Sequence, residues 1–181
     1  MTCDDPDART YFLTLRLADR RSDLLVRRID DLRRAMRETL VQHPLHIDAI
    51  AVLPAVIHLL WTLPPGDCNL AARIGMLKCG FSRAISPPPT HSLARIRRRD
   101  KGIWQRHHWV HALRDGADFN RHRNLIYHCP VHADLCAHPR DWPHTSLHRD
   151  LMDGAPPPPP AIAWPRDPVF FIEPSHPTTA R

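Results

Sequence analysis

The sequence contains no apolar run long enough to cross a membrane. The longest run, residues 49–61, is interrupted by Pro54 and His58, whereas a spanning helix needs about 20 consecutive apolar residues. The five cysteines are an odd number at irregular spacing, which is not the pattern of a disulfide framework. Residues 1–7 carry no apolar segment of the secretory type. These absences argue against a membrane protein or a disulfide-stabilised secreted one, and we expect a cytoplasmic location.

What the chain has in excess is positive charge. Its 181 residues suffice for one domain with a genuine core, and they carry a formal net charge of +6. This balance favours an acidic partner, with nucleic acid the first candidate, while an ordinary solvated surface is the alternative. All 25 basic residues except Lys78 and Lys101 are arginines. Arginine suits bidentate phosphate contacts, although a GC-rich coding sequence would give the same bias.

The first half of the chain shows strand and helix patterns in turn. Residues 11–17 are rich in aromatic and aliphatic side chains and predict a strand. From Ser22, a suitable N-cap, apolar residues recur at three- and four-residue steps as far as Leu40, which predicts an amphipathic helix. The next predicted elements are strands over 46–52 and 57–63 and a helix over about 68–85.

Two basic segments stand out. One is a cluster at residues 95–101. The other is the outer face of the first predicted helix, which is usually just solvated but could also contact DNA. Its arginines are Arg27, Arg28, Arg33, Arg34 and Arg37.

The second half predicts a strand or extended arm over 103–109 and a helix with Asp118 as its N-cap. Pro130 should end that helix near Cys129. After Leu151 the composition changes to a proline-rich tail with too few apolar residues to pack, for which we expect disorder.

The predicted organisation is therefore a flexible N-terminus at 1–9, one domain at 10–151 and a disordered tail at 152–181. The order of elements favours an α+β fold, a ferredoxin-like split βαβ antiparallel sheet with its helices mainly on one face.

The most informative segment is residues 50–65, read as a strand, a bend at Pro54 and a second strand. On that second strand His58 is the one side chain able to hold a metal. The segment resembles the HUH strand of REP-associated tyrosine transposases, in which two histidines flank one apolar residue. Side chains at i and i+2 of a strand share a face and can bind one ion. Here Val56 replaces the first histidine, and a lone His58 is by itself better read as half-buried and hydrogen-bonded.

The same resemblance continues through most of the chain, in order, from Tyr11 to about His148. The further segments that carry it are 11–21, 60–64, 77–83, 103–106, 109–115, 118–131 and 139–148. Many short matches in the right order are more specific than any single motif.

The resemblance implies a metal-assisted transesterification on single-stranded DNA. In the family, two histidines and a polar side chain from a late helix hold Mg²⁺ or Mn²⁺, and a tyrosine four residues before that side chain attacks a phosphate to form a 5′-phosphotyrosine link. The resemblance also implies a DNA partner, a single-stranded hairpin from repetitive extragenic palindromes (REP).

Three of the four active-site positions have changed in this chain. Val56 replaces a histidine, Leu125 stands at the nucleophile position and Cys129 replaces the amide ligand, so that His58 alone remains. We therefore expect Mg²⁺ or Mn²⁺ binding to be weak or absent. Tyr127 is a candidate replacement nucleophile, but two helical steps turn it about 200° from the face of residue 125.

Residues suited to DNA binding are better kept. Lys78, Arg83 and Arg106 are candidates for phosphate contacts, and Trp104 and Trp109 are candidates for base stacking. Core packing of the tryptophans and ordinary surface charge are the alternatives.

The leading hypothesis is a transposase-family protein that binds single-stranded DNA and is impaired in strand cleavage. One alternative is a zinc-stabilised module, because Cys129, His132, Cys136 and His138 offer four ligands within ten residues. A second is an active transposase that uses Tyr127, and a third is a decaying reading frame. Whether the chain is a monomer or a dimer stays open.

Overall fold

A computed structural model describes residues 9–85, 102–160, 162 and 164. Its strands are β1 (Thr10–Arg16), β2 (His46–Val52), β3 (Val56–Thr62) and β4 (Trp109–Ala112). Its α-helices are α1 (Leu24–Arg27), α2 (Ile29–Gln42), α3 (Leu70–Ala84), α4 (Gly116–His132) and α5 (Leu147–Met152), and a 3-10 turn covers Pro139–Asp141. The predicted basic cluster at 95–101, residues 1–8 and most of the tail lie outside the described residues.

The four strands form one antiparallel sheet in the order β2-β3-β1-β4. Thr14 of β1 lies opposite His58 of β3, and Phe12 lies between Leu60 on one side and His111 of β4 on the other. This is the order of a split βαβ sheet, so the prediction of an α+β, ferredoxin-like fold is confirmed.

The two faces of the sheet carry different helices. Because side chains alternate along a strand, Ile57, Leu59 and Trp61 of β3 pack with α2 and α3. Val56 and Leu60 pack with α4 on the opposite face. The sequence interpretation put the helices mainly on one face; α2 and α3 do lie together there, and α4 covers the other face.

Helix α3 lies close to α2 because of one glycine. A Cβ at Gly80 would come within 3.0 Å of the Ala35 Cβ, whereas a Cβ at Gly75 would meet nothing within 4 Å. Two small residues facing each other therefore allow the helices to approach. The start of α3 is fixed by Asn69, whose side chain accepts a hydrogen bond from the Ala72 N–H.

The predicted boundaries of α4 are wrong by two or three residues. Asp115, not Asp118, is the N-cap, and its carboxylate accepts from the Asp118 N–H at 2.7 Å. Asp118 instead lies in the first turn and is buried. Pro130 lies inside the last turn, two residues before the helix ends at His132. Proline lacks the N–H that would bond the Ile126 carbonyl, and the Cys129 thiol donates to that carbonyl at 3.0 Å.

Two other predicted elements differ in extent. The single helix expected from Ser22 to Leu40 is divided into α1 and α2, and the Ser22 hydroxyl accepts from the Leu24 N–H. In the arm expected over 103–109, Trp104 forms an isolated bridge with Leu17, and regular pairing begins only at Trp109.

Two described residues of the proline-rich tail contact α4. The Pro159 carbonyl is 2.8 Å from His128 Nε2, and the Trp164 ring stacks on His132 at 3.9 Å between centroids. The rest of the tail lies outside the described residues.

Candidate functional site

His58 lies at the centre of β3, on the face of the sheet that α4 covers. Its side chain is completely buried, its Nδ1 is 3.0 Å from the Thr14 hydroxyl, and its ring is stacked near Phe12. Burial, with a smaller effect from the charge of Arg16, lowers the pKa of His58 to about 3. The imidazole is therefore neutral near pH 7.

The three substituted positions come together in an apolar cluster. Val56, Leu125 and Cys129 are 6%, 5% and 1% exposed, and all belong to the hydrophobic core between the sheet and α4. Burial raises the pKa of the Cys129 thiol well above its ordinary value, so it stays protonated. The three residues therefore belong to packed core.

These residues do not fit a hard divalent cation. Mg²⁺ and Mn²⁺ prefer oxygen ligands in near-octahedral arrangement. The side chains at the four family positions are a neutral imidazole hydrogen-bonded to Thr14 and three members of an apolar cluster, which are a valine, a leucine and a protonated thiol. No chemical step through a metal follows from this arrangement.

Tyr127 is buried on a different part of the α4 circumference. Its hydroxyl donates a hydrogen bond to the Asp150 carboxylate of α5. Burial and the neighbouring Asp150 raise the pKa of Tyr127 well above its usual range. The small cavity beside it is lined by Asn124, Leu147 and the prolines 156–159.

A cluster of polar residues that the sequence interpretation missed joins β4 to α4. His111 Nε2 is 2.9 Å from Asp118 Oδ2, and His122 Nδ1 is 3.2 Å from Asp118 Oδ1. Rings of His111 and His122 stack at 4.9 Å, and Phe12 contacts His122 at the same centroid distance. The sequence does contain a sign of this cluster, because Asp118 and His122 are four residues apart and therefore share one face of the helix. The prediction that Asp118 is the N-cap placed it outside the helix, and this pairing was not recognised.

The carboxylate of this cluster is already surrounded by cations and donors. Arg121 binds it at 2.6 Å, and Arg114 lies 3.7 Å away. Burial acts to raise the pKa of Asp118, but the hydrogen bonds from His111, Arg121 and the Arg114 N–H outweigh it and hold that pKa below its ordinary range. Burial lowers the pKa of His122, although Asp118 opposes the shift.

Among the described residues, His111, Asp118 and His122 are the one group of at least three potential metal ligands whose atoms all lie within 4.8 Å of one another. The zinc-ligand set suggested by the sequence, Cys129, His132, Cys136 and His138, does not form such a group. The Cys129 thiol instead donates a hydrogen bond to the Ile126 carbonyl of its own helix, and the His132 ring is stacked on Trp164.

The predicted DNA-contact residues lie in unlike surroundings. Trp104 packs edge-on against Phe81, and its Nε1 donates to the Lys78 carbonyl. Lys78 donates to the Gln105 carbonyl, and burial lowers the pKa of its ammonium group. Arg83 is exposed and lies 3.8 Å from Glu38.

Arg106 is exposed, and Trp109 on β4 is 45% exposed. Trp104 and Lys78 thus join the 103–106 segment to α3, whereas Arg106 and Trp109 face solvent.

Sequence comparison with known proteins decides the family. A Haemophilus influenzae protein named as a REP-associated tyrosine transposase is 39% identical over 143 residues, covering 78% of this chain and 81% of the relative. The REP-associated tyrosine transposase of Escherichia coli is 34% identical over 162 residues, covering 90% and 88%. This chain belongs to the REP-associated tyrosine transposase family.

The fold agrees with that of a solved family member. The structure of a REP-associated tyrosine transposase bound to a REP hairpin matches with a TM-score of 0.74 and 31% identity, over 97% of this chain and 94% of the other. No protein-family model matches the chain. Within the described ranges, no helix has the length and apolar character needed to cross a bilayer.

Proposed function

We propose that this REP-associated tyrosine transposase homologue binds single-stranded hairpin DNA of the REP type and is impaired in cutting it. The observation that carries the second part is the apolar cluster formed by Val56, Leu125 and Cys129 beside a fully buried His58. The family's nucleophile and two of its metal ligands are all replaced, so both nucleophilic attack and metal binding are affected.

DNA binding is supported by the family and by the surface of the chain. A solved relative is bound to a REP hairpin, and this chain carries a formal net charge of +6. Arg106 offers an exposed guanidinium for phosphate, and Trp109 offers an exposed ring on which an unpaired base can stack.

Impaired cleavage is supported by the state of the remaining groups. His58 is neutral and enclosed, so we propose that Mg²⁺ or Mn²⁺ binds weakly or not at all there. The phenol of Tyr127 is held by Asp150 with a raised pKa. A phenolate nucleophile is therefore disfavoured at neutral pH.

The deciding experiment restores the three family residues together. We expect the parent to form no covalent adduct with a labelled single-stranded REP hairpin in Mn²⁺. The variant Val56→His with Leu125→Tyr and Cys129→Asn should form one, seen as a band that survives denaturing electrophoresis. The matched control carries Phe at position 125 in place of Tyr and should form none.

Circular dichroism must show that both variants are folded. An adduct formed by the unaltered parent would contradict the proposal. In that case loss of the adduct in Tyr127→Phe would assign the chemistry to Tyr127, which is the alternative of an active enzyme with a rearranged site.

A further inference from the structure

The cluster of His111, Asp118 and His122 offers two imidazoles and one carboxylate at a single place. His58 does not belong to it, although the Phe12 ring contacts the rings of both His58 and His122 at centroid distances of 5.8 and 4.9 Å. The cluster is therefore distinct from the position at which the family holds its metal.

The spacing of the nitrogen and oxygen atoms suits one ion. His111 Nε2 is 2.9 Å from Asp118 Oδ2, and His122 Nδ1 is 3.2 Å from Asp118 Oδ1. One atom from each of the three side chains lies within 4.8 Å of the other two. Zn²⁺ binds nitrogen and oxygen at about 2.0–2.2 Å, which places tetrahedral ligand atoms roughly 3.3 Å apart. Small rotations of the two imidazoles therefore suffice to complete this geometry.

The donor set indicates which metal fits. Two imidazoles and one carboxylate suit Zn²⁺, and three protein ligands leave the fourth position to water. Mg²⁺ prefers an oxygen environment and is a poorer match. The His111 side chain is 29% exposed, whereas those of Asp118 and His122 are 4% and 7% exposed. An ion can therefore enter from the β4 side.

The arginines that already contact Asp118 do not close this place to an ion. Arg121 lies 2.6 Å from Oδ1 and Arg114 lies 3.7 Å from Oδ2, and their side chains are 60% and 74% exposed. Each guanidinium can turn into solvent, so neither would be left as a buried cation. The Arg114 N–H, 3.3 Å from Oδ2, remains as a donor that orients the carboxylate.

We propose that His111, Asp118 and His122 form a binding site for one Zn²⁺ ion, which links the edge strand β4 to α4. The alternative is a network held by hydrogen bonds alone. The site does not depend on DNA binding or on strand cleavage, so its test is separate from that of the proposed function.

The test measures zinc binding to the full-length protein after a chelator has removed bound metal. Titration against a chromophoric competitor gives the stoichiometry and the Kd. The cluster variants are His111→Ala and Asp118→Asn. The matched control is His46→Ala, which removes an exposed imidazole that also pairs with a carboxylate, that of Asp48 at 3.0 Å.

We expect one zinc ion per chain in the parent and in the control, and a loss of about tenfold or more in affinity in each cluster variant. Saturating zinc should raise the Tm of the parent, because the ion binds the folded chain, and should leave the Tm of His111→Ala unchanged. Circular dichroism of the metal-free proteins shows whether each variant is folded, and His111→Ala suffices if Asp118→Asn is not.

Binding of Co²⁺ in place of Zn²⁺ identifies the ligand type, because thiolate ligands give a strong near-ultraviolet charge-transfer band that imidazole and carboxylate ligands lack. We expect no such band. Its presence, together with a loss of binding in Cys136→Ser, would overturn the proposal and assign the ion to the set Cys129, His132, Cys136 and His138.

Two other results would also overturn the proposal. Equal zinc affinity in the parent and in His111→Ala would place the ion elsewhere. A folded parent that binds no zinc would show that hydrogen bonds alone hold the cluster. Hairpin binding, measured without added metal, would be unaffected by either result.

Discussion

At the scale of single residues, the main feature is His58, an imidazole that is completely buried with Thr14 as its hydrogen-bond partner. The residue pattern identified the strand that carries His58, and the resemblance to the transposase family identified Val56, Leu125 and Cys129 as altered positions. It suggested a half-buried imidazole, whereas the side chain is completely buried. The burial of His58 depends on how closely α4 packs against the sheet. That distance is set by packing across the whole core and cannot be predicted from a local sequence pattern.

The buried imidazole should make stability depend on pH. Because the folded pKa of His58 is about 3 and the unfolded value is about 6.5, protonation favours the unfolded chain. The stabilisation is complete above pH 6.5 and is lost as the pH falls toward 3. At pH 4.5 we expect a loss of about 2–3 kcal/mol in the free energy of unfolding from this residue.

Urea unfolding at pH 7.0 and pH 4.5 measures this loss. The comparison protein is His58→Leu with Thr14→Val, which removes both members of the hydrogen-bonded pair. A decrease between the two pH values that is as large in the comparison protein as in the parent would show that other groups cause the acid sensitivity.

At the scale of elements, the first three strands and α3 were predictable, whereas the fourth strand, the division between α1 and α2 and the ends of α4 were not. Strand β2 was predicted at its observed bounds, and α3 within two residues at each end. For α4, Asp115 and Asp118 were both plausible caps. Only the fold, which turns Asp118 inward toward His111, decides between them. The prediction that Pro130 ends the helix was wrong. A proline in the last turn removes only one backbone hydrogen bond, and the Cys129 thiol donates to the Ile126 carbonyl that would have accepted it.

The contact between α2 and α3 gives a prediction with its own control. Gly80→Ala would press a methyl group against Ala35, where only 3.0 Å separates the Cβ positions. We expect it to lower the free energy of unfolding by about 1–2 kcal/mol. Gly75→Ala meets no neighbour within 4 Å and should raise it by about 0.5–1 kcal/mol through helix propensity. Chemical denaturation measures both changes, and opposite signs are the expected result.

At the scale of the whole molecule, the sheet separates two unlike faces. One carries the core formed with α2 and α3, and the other carries α4 over the cluster that includes Val56, Leu125 and Cys129. The composition of the tail predicts disorder, because prolines contribute little to a core of their own, and this stays a prediction. A composition cannot indicate individual contacts such as those of Pro159 with His128 and of Trp164 with His132.

The tail contacts should contribute measurably to stability. A chain ending at residue 154 loses the contacts of Pro159 with His128 and of Trp164 with His132. We expect its Tm to fall by about 2–6 °C relative to a chain ending at residue 164. Thermal unfolding of the two chains, followed by circular dichroism, measures this difference. Identical curves would show that the tail contacts contribute nothing to the free energy of unfolding.

The hydrogen bonds of residues 144–149 along β2 also affect whether this edge of the sheet can pair with a strand of another molecule. Main-chain groups at Ile50 and Val52 are satisfied from within, and Arg149 occupies the carbonyls of Ile47 and Asp48. Within the described ranges the opposite border, β4, is only four residues long. Short or covered edge strands resist unwanted strand pairing between molecules. The β2 edge is protected because residues 144–149 already bond to it, and the β4 edge is protected because the strand is short.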